Sequence, residues 1–382
     1  MGGQTEKNQE TFSTKTDLKE KVAGYLEHCI ECNRCMNICP VTKETFSIKE
    51  LNTATREGTS VPVKIRAFTF HCMQCGKCVP VCPVHIRRDS MVRYIKYKIK
   101  DQKPWSYHRY LFIKGPNLTG VKRITQQLFV KVKKLTQKDL ACFMETTPMK
   151  NAEVLFYPGC YLYSTKTIRQ TRRLLDYLGC SYAVLGGVTV CCGAPHLLQG
   201  ELDEADHCAE LLSQKIKACN PKIIITACAE CFEAVEQIKN MQKMNYEVLS
   251  VTQYLLRFPE KFPANKIREK ILVHNSCRFH EQSAQGVAVQ NAVSRFADLV
   301  APLPTQPSSC CYQWNHGTDP NNTARQITYL NSVGTRAKTL ACNCLTCYEE
   351  LQKVYTDVEI IDILQLFEES LDATRSSEHP SK

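Results

Sequence analysis

The chain has 382 residues, room for two or three domains with full cores, and 23 of them are cysteine, far above ordinary usage. Its formal charge is +11, but fifteen Lys/Arg against two acids lie between Arg87 and Lys138, so the remainder is close to neutral. A polar start from Met1 to Asp17 without an apolar signal region argues against a secreted disulfide scaffold, the lack of any run of about 18 apolar residues argues against a spanning helix, and metal-bound thiolates in a reducing cytosol are the expectation.

Residues 1–16 read as a polar tail. From Asp17 a helical pattern (Leu18, Val22, Leu26) leads into Cys29-x2-Cys32-x2-Cys35-x3-Cys39-Pro40, and a second copy follows as Cys72-x2-Cys75-x2-Cys78-x3-Cys82-Pro83. In this ferredoxin spacing the first three cysteines bind one [4Fe–4S] cubane and the fourth reaches across to the other. Cys29, Cys32, Cys35 and Cys82 are therefore expected to hold one cluster, and Cys72, Cys75, Cys78 and Cys39 the second. Structural zinc also takes four cysteines, but it uses paired C-x2-C units and calls for neither a third cysteine at the same interval nor a Cys-Pro partner exchanged between copies. Arg34, Lys77, Arg87 and Arg88 either offset the anionic cluster charge or form a solvated basic face. Between the motifs, Ser47–Leu51 and Pro62–Phe68 are helical in pattern, which predicts a helix-rich two-cluster module over residues 17–100.

Residues 101–151 form a basic connector. Met91 to Lys100 reads as a basic helix, and Val121 to Lys134 alternates apolar and basic positions. A surface helix packed on its own domain and docking on an acidic partner or a membrane surface, through the basic 87–138 segment, are the readings it allows. Trp105, Tyr107 and Tyr110 are not framed by any RNA-binding module, which argues against nucleic acid.

Beyond Ala152 the chain repeats itself. Val154–Cys160 matches Ile271–Cys277, Cys191-Cys192 matches Cys310-Cys311, Cys228-x2-Cys231 matches Cys344-x2-Cys347, and Val248–Val251 matches Ile360–Ile363, at offsets of 117, 119, 116 and 112 residues. Short β-branched runs alternate with helical patterns (Thr165–Leu178, Asp203–Ala218, Thr323–Val333), which argues for βαβ units. The expected architecture is an α-helical ferredoxin-like N-terminal module followed by two duplicated α/β cysteine-rich domains, Rossmann-like with parallel sheets, over residues 152–265 and 266–372, then a tail at 373–382. Cys160, Cys228, Cys277 and Cys344 each follow a predicted strand, the edge where open α/β sheets gather ligands. Both C-x2-C pairs are expected to open helices, whose N-terminal dipole favours thiolate. Neighbouring side chains on an extended chain point apart, so bringing Cys191 and Cys192 to one centre needs the turn that Gly193 permits.

These residues resemble the cysteine-rich CCG domain family. From Cys29 to Cys347 the chain is similar to heterodisulfide reductase subunits in which ferredoxin and double-CCG parts are fused. It also resembles the iron–sulfur subunits of glycolate oxidase, anaerobic glycerol-3-phosphate dehydrogenase and class II benzoyl-CoA reductase complexes. The resemblance implies a non-cubane [4Fe–4S] cluster at each set of five cysteines: Cys160, Cys191, Cys192, Cys228 and Cys231, then Cys277, Cys310, Cys311, Cys344 and Cys347. Cys191, Cys192, Cys310 and Cys311 would then carry the catalytic step, cleavage of a disulfide in single-electron steps. Zinc or an ordinary cubane at one of these sites is an alternative within the family.

The second doublet departs from the pattern, with Tyr312-Gln313-Trp314 where the family has Gly, and Cys342 adds a sixth thiol. His196, His274, His280 and His316 stand near cluster cysteines as proton donors or as hydrogen-bond supports, and Arg278 as a partner for an anion. Cys142, Cys180, Cys208, Cys219 and Cys342 read as buried apolar residues. No glycine-rich dinucleotide fingerprint follows a strand, so flavin or nicotinamide is expected in a partner, a flavoprotein or other electron-donor subunit. The implied setting is cytoplasmic, anaerobic and peripheral to a membrane through that partner. A subunit that only relays electrons within a larger flavin-containing dehydrogenase or benzoyl-CoA reductase-type complex is the competing reading.

Overall fold

The computed structural model describes residues 14–39, 46–58, 61–72, 74–102, 152–159, 165–186, 190–274, 276, 284–301 and 322–378. The first part is helical. Helix α1 (Thr14–His28) leads into the first cysteine loop, the single turn α2 (Arg34–Asn37) carries Cys35, and α3 (Ile48–Glu57) and α4 (Val63–His71) join the two motifs. Ser47 caps α3 reciprocally with Glu50, and Pro62 stands just ahead of α4, so both start where local chemistry starts them.

Helix α5 (Arg88–Lys98) is the basic helix expected from Met91 to Lys100, beginning three residues earlier. It lies inside the module, burying Met91, Val92 and Ile95 and, with them, the charged side chains of Arg88 and Lys96. Met91 and Ile86 pack with Leu18 and Val22 of α1 and with Leu202 from the following α/β part, so the two parts share an apolar core.

The rest is two four-stranded parallel sheets. In the first, β1 (Val154–Gly159), β2 (Tyr182–Gly186), β3 (Ile223–Thr226) and β4 (Glu247–Ser250) lie in the order β2-β1-β3-β4. The second, of β5 (Lys270–His274), β6 (Asp298–Val300), β7 (Thr339–Cys342) and β8 (Glu359–Asp362), has the order β6-β5-β7-β8. Around the first run α6 (Thr165–Tyr177), α7 (Ala194–Leu198), α8 (Leu202–Cys219), α9 (Ala229–Met241) and α10 (Val251–Leu255). Around the second run α11 (Ala284–Phe296), α12 (Asn322–Gly334), α13 (Leu345–Leu351) and α14 (Leu364–Glu378). Helices α6, α8 and α12 fall within a residue of their predicted bounds.

One apolar cluster, from Phe156, Leu174 and Tyr254 through Phe262 to Phe296 and Phe367, runs through both sheets' surroundings. Polar contacts reinforce it. Thr167 on α6 donates to Asp362 Oδ2 at 2.7 Å, and Asp362 Oδ1 accepts from Leu364 N at 2.9 Å, capping α14. Burial raises the Asp362 carboxyl to about 6, the two hydrogen bonds opposing it. Below about pH 4 the folded and unfolded chains both hold this proton; between there and pH 6 only the folded chain does, so stability falls as pH rises. Above pH 6 the penalty is complete, with an upper bound of about 3 kcal/mol. Asp362→Asn keeps an oxygen for the cap and is expected to raise the melting temperature at pH 7.5 while changing little at pH 4.5. An equal change at both values, in thermal scans of the anaerobic protein, would refute this account.

Candidate metal centres

The four cysteines of the first crossed set meet. Cys29, Cys32, Cys35 and Cys82 line one cavity of about 380 Å³, with Ile30, Val84 and Arg88 among its other walls. The backbone wraps it in a matched way. Glu31 and Asn33 flank Cys32 with φ of 53° and 60°, and Gln74 and Gly76 flank Cys75 with φ of 51° and 72°. Left-handed residues on both sides of a cysteine turn successive N–H groups toward one concavity, an arrangement suited to an anionic group, and non-glycine residues tolerate it at a cost met at functional sites. Ile86 N donates to Cys82 Sγ at 3.3 Å. Cys32 is exposed and Ile30 is 60% exposed, so this cavity reaches the surface.

Cys72 and Cys78 of the second set are buried, and burial pushes their thiols up to about 11 and about 12. A site that penalises a bare thiolate so strongly suits sulfur whose charge is shared with iron, because metal binding displaces the proton. Arg88 lies between the two sets. Its guanidinium donates to Cys35 O at 2.6 Å and to Met36 Sδ at 2.8 Å and stacks over Phe68 at 5.4 Å. Burial opposes that charge, but the sulfurs of Cys78, Cys39, Cys72 and Cys35 outweigh it and hold the guanidinium pKa above its ordinary value. Of the four cations named from the sequence, this one is buried against both ligand sets.

At the first sheet, Gly193 adopts φ 81° directly after the doublet, and its N–H donates to Cys191 Sγ at 3.4 Å. Cys228 caps α9, and Cys231 lies in its first turn. Cys231 donates to Cys192 Sγ at 3.6 Å, Cys192 is hydrogen-bonded to Cys191, and Cys228 to Cys231, all four as free thiols. The hydrogen bond that Cys228 accepts from Cys231 holds its thiol down against burial, while the one that Cys192 donates to Cys191 raises Cys192. Cys160 lies outside the described residues, but the residue before it, Gly159 (φ 82°), is so close to this set that a Cβ there would stand 2.7 Å from Cys231 Sγ. Cys208, expected to be an inert core residue, extends the chain of sulfurs: it is buried on α8 and hydrogen-bonded to Cys191. Its position sixteen residues past the doublet gave no spacing signal. A cleft of about 490 Å³ opens beside Cys192, lined by Arg93, Leu197, Glu230 and Glu233 among others. His196 is buried on α7 with Nδ1 2.7 Å from Glu201 Oε2, and among the described residues its Nε2 has no partner.

At the second sheet, Cys344 caps α13 and Cys347 lies in that helix's first turn, both buried beside Cys342. Cys342 ends β7 where Thr226 ends β3. His274 pairs with Cys342 across the strands and reaches Tyr329 Oη through Nδ1 at 2.9 Å. Burial lowers His274 to about 3, the Lys77 charge adding to it, so this imidazole is neutral at ordinary pH. Cys277, Cys310, Cys311, Tyr312, Arg278, His280, His316 and the connector from residue 103 to 151 lie outside the described residues. No three His, Cys, Asp or Glu side chains among the described residues converge on a single ion; the sulfurs of the first cavity are spread around a larger space. No described helix is long and apolar enough to cross a membrane.

The comparisons with known proteins agree with this layout. Residues 25–86 match a 4Fe-4S dicluster domain and residues 154–251 a cysteine-rich domain, the CCG family. One subunit of the dihydromethanophenazine:CoB–CoM heterodisulfide reductase of Methanosarcina barkeri is 28% identical over 151 residues, covering 37% of this chain and 36% of the relative. Its counterpart in Methanosarcina mazei is 25% identical over 138 residues, 34% of this chain and 33% of the relative. The matches thus span about a third of the length of these relatives. A solved structure, an aspartate racemase homologue from Pyrococcus horikoshii, aligns at a TM-score of 0.28 and 10% identity, covering 59% of this chain and 99% of that one. The chain carries a 4Fe–4S dicluster domain and a CCG domain, and it is an iron–sulfur protein related to that heterodisulfide reductase component.

Proposed function

We propose that this chain is an electron-transferring subunit that takes electrons from a partner at the Cys29/Cys32/Cys35/Cys82 site and delivers them, one at a time, to disulfide reduction at the CCG sites. The observation that carries the reading is the single cavity lined by four cysteines drawn from both motifs, open at Cys32 and rimmed by the exposed Ile30 and Val84. A donor subunit, flavin-containing or otherwise redox-active, would dock on that apolar rim. Cys72, Cys75, Cys78 and Cys39 would hold a second cubane. Cys160, Cys191, Cys192, Cys228 and Cys231 would hold a further four-iron cluster, and Cys277, Cys310, Cys311, Cys344 and Cys347 another. Clusters so held supply one-electron transfer.

The chain's own residues supply the rest. Gly193 turns the doublet so that both thiols serve one centre, the N-terminus of α9 favours thiolate at Cys228, and Cys208 offers an S–H to Cys191. Reducing a disulfide consumes two electrons and two protons and yields two thiols. His196 Nε2, oriented by Glu201, is the group placed to pass a proton, while the neutral His274 serves as a hydrogen-bond support through Tyr329. One feature favours a second reading, in which the chain only relays electrons: Tyr312 follows the second doublet where the family has glycine.

Anaerobically purified protein is expected to contain about sixteen irons per chain. Oxidation in the presence of a thiol is expected to give a thiol-dependent paramagnetic signal. About eight irons with zinc would overturn the CCG assignment. Sixteen irons without any thiol-dependent signal would favour the relay.

A further inference from the structure

The doublet at the first sheet and the second ferredoxin loop are joined by a buried polar junction that none of the cysteine patterns predicts. Helix α7 begins two residues after Cys192 and ends at Leu198. Leu198 O accepts from Lys96 Nζ at 3.1 Å and from Gln74 Nε2 at 2.5 Å. Lys96 Nζ also reaches Cys72 O at 3.4 Å, and Gln74, the residue before Cys75, takes a bond from Arg93 Nε at 3.0 Å. Lys96 is 3% exposed and Gln74 2%. The approach is close enough to exclude a side chain: Gly200 has φ 76°, and a Cβ there would stand 2.5 Å from Tyr97 N. Burying an ammonium is costly unless its surroundings repay it, so a lysine kept here needs an electrostatic reason. Its neighbours on both sides are candidate ligand sets for anionic clusters.

We infer that Lys96, with Gln74, is the coupling element between the second ferredoxin ligand set and the Cys191-Cys192 set, clamping the Cys72–Cys75 loop and the helix behind the doublet around one shared cation. This rests on the electron-transfer reading above and names its internal route. The first set meets the same α/β part through apolar packing with Leu197 and Leu202, and its exposed Cys32 faces outward. The second set is therefore the exit of the ferredoxin module and the first is its intake. Cys72, Cys75, Cys78 and Cys39 on one side and the Cys191-Cys192 set on the other would hold the two centres, and those centres would supply one-electron transfer across the junction with no bond made or broken. Lys96 acts as a positioning residue. Its charge favours an electron on either side of the junction, and its two carbonyl contacts hold the junction closed.

The test is an anaerobic redox titration followed by electron paramagnetic resonance on the full chain. Lys96→Met is expected to lower the potential of one cubane by a tenfold change in its one-electron equilibrium, about 59 mV, and leave the other unmoved. It is also expected to slow reduction of the CCG cluster at least tenfold in freeze-quench samples. Lys96→Arg keeps the charge and is expected to restore the potential, a pattern that loss of packing alone would not produce. Unchanged potentials and rate in an iron-replete Lys96→Met protein overturn the inference. Should that variant fail to load iron, the cluster spins decide. Magnetic broadening of the CCG signal is expected to vanish in Cys75→Ser and persist in Cys32→Ser, and the reverse result overturns the route. Zinc at the CCG site of the unsubstituted protein overturns this inference together with the reading beneath it, whereas four intact clusters with an unresponsive Lys96→Met overturn the inference alone.

Discussion

Cys192→Ser is expected to remove the cluster at the first CCG site and leave both cubanes, taking iron from about sixteen to about twelve per chain. Cys192 is buried, hydrogen-bonded to Cys191 and 3.6 Å from Cys231 Sγ, so it occupies the middle of the sulfur chain rather than its edge. A serine hydroxyl keeps its proton far more firmly than a thiol and is a hard, poor substitute for a soft thiolate on iron. The cubane signals are expected to persist because none of the Cys29, Cys32, Cys35 and Cys82 cavity is built from the doublet. Iron analysis and low-temperature paramagnetic spectra check this. Unchanged iron and spectra would contradict the assignment of Cys192 as a ligand.

Arg88→Met is expected to have the second large effect, on both cubanes at once. The guanidinium is buried between the two ligand sets and holds Cys35 O and Met36 Sδ. Removing it takes a positive charge from beside two anionic clusters, which favours their oxidised forms. Each potential is expected to fall by the order of 59 mV, a tenfold change in equilibrium. The module is also expected to lose about 2 to 4 kcal/mol, since Cys35 O loses a charged donor inside the protein. Arg88→Lys keeps the charge but not the fork, so it should recover most of the potential and less of the stability. A shift in one cubane only would mean that Arg88 serves one ligand set and not the junction between them.

Much of this architecture is written in local patterns. Ser47 and Glu50 start α3, the apolar spacing on α6, α8 and α12 sets their lengths, and the β-branched runs at Ile223–Thr226 and Ile271–Val273 become inner strands. Periodicity and capping act within a turn or two of the chain, so a linear reading recovers them. The same holds for the cysteine motifs, because three ligands on one loop must keep a fixed short spacing to face one centre. Basic helix α5 was legible as a helix, with Arg88 offered as a charge beside the clusters, but the burial of Lys96 was not. Lys96 looks like a solvent charge in composition, and only the buried carbonyls around it explain why it is inside.

The sequence by itself therefore determined the class of centre, the four cysteines that line the first cavity, and the placement of the C-x2-C pairs at helix starts after strands. Tertiary structure alone decided which of the remaining polar groups belong to those centres. Lys96 and Gln74 meet Leu198 O across 102 and 124 residues, and Cys208 meets Cys191 by packing of one helix under a turn. No periodicity links such positions, because burial against a distant backbone leaves no repeating mark on the chain. For that reason the doublet's place in a CCG domain could be read from its spacing, but its contact with the second ferredoxin loop could not.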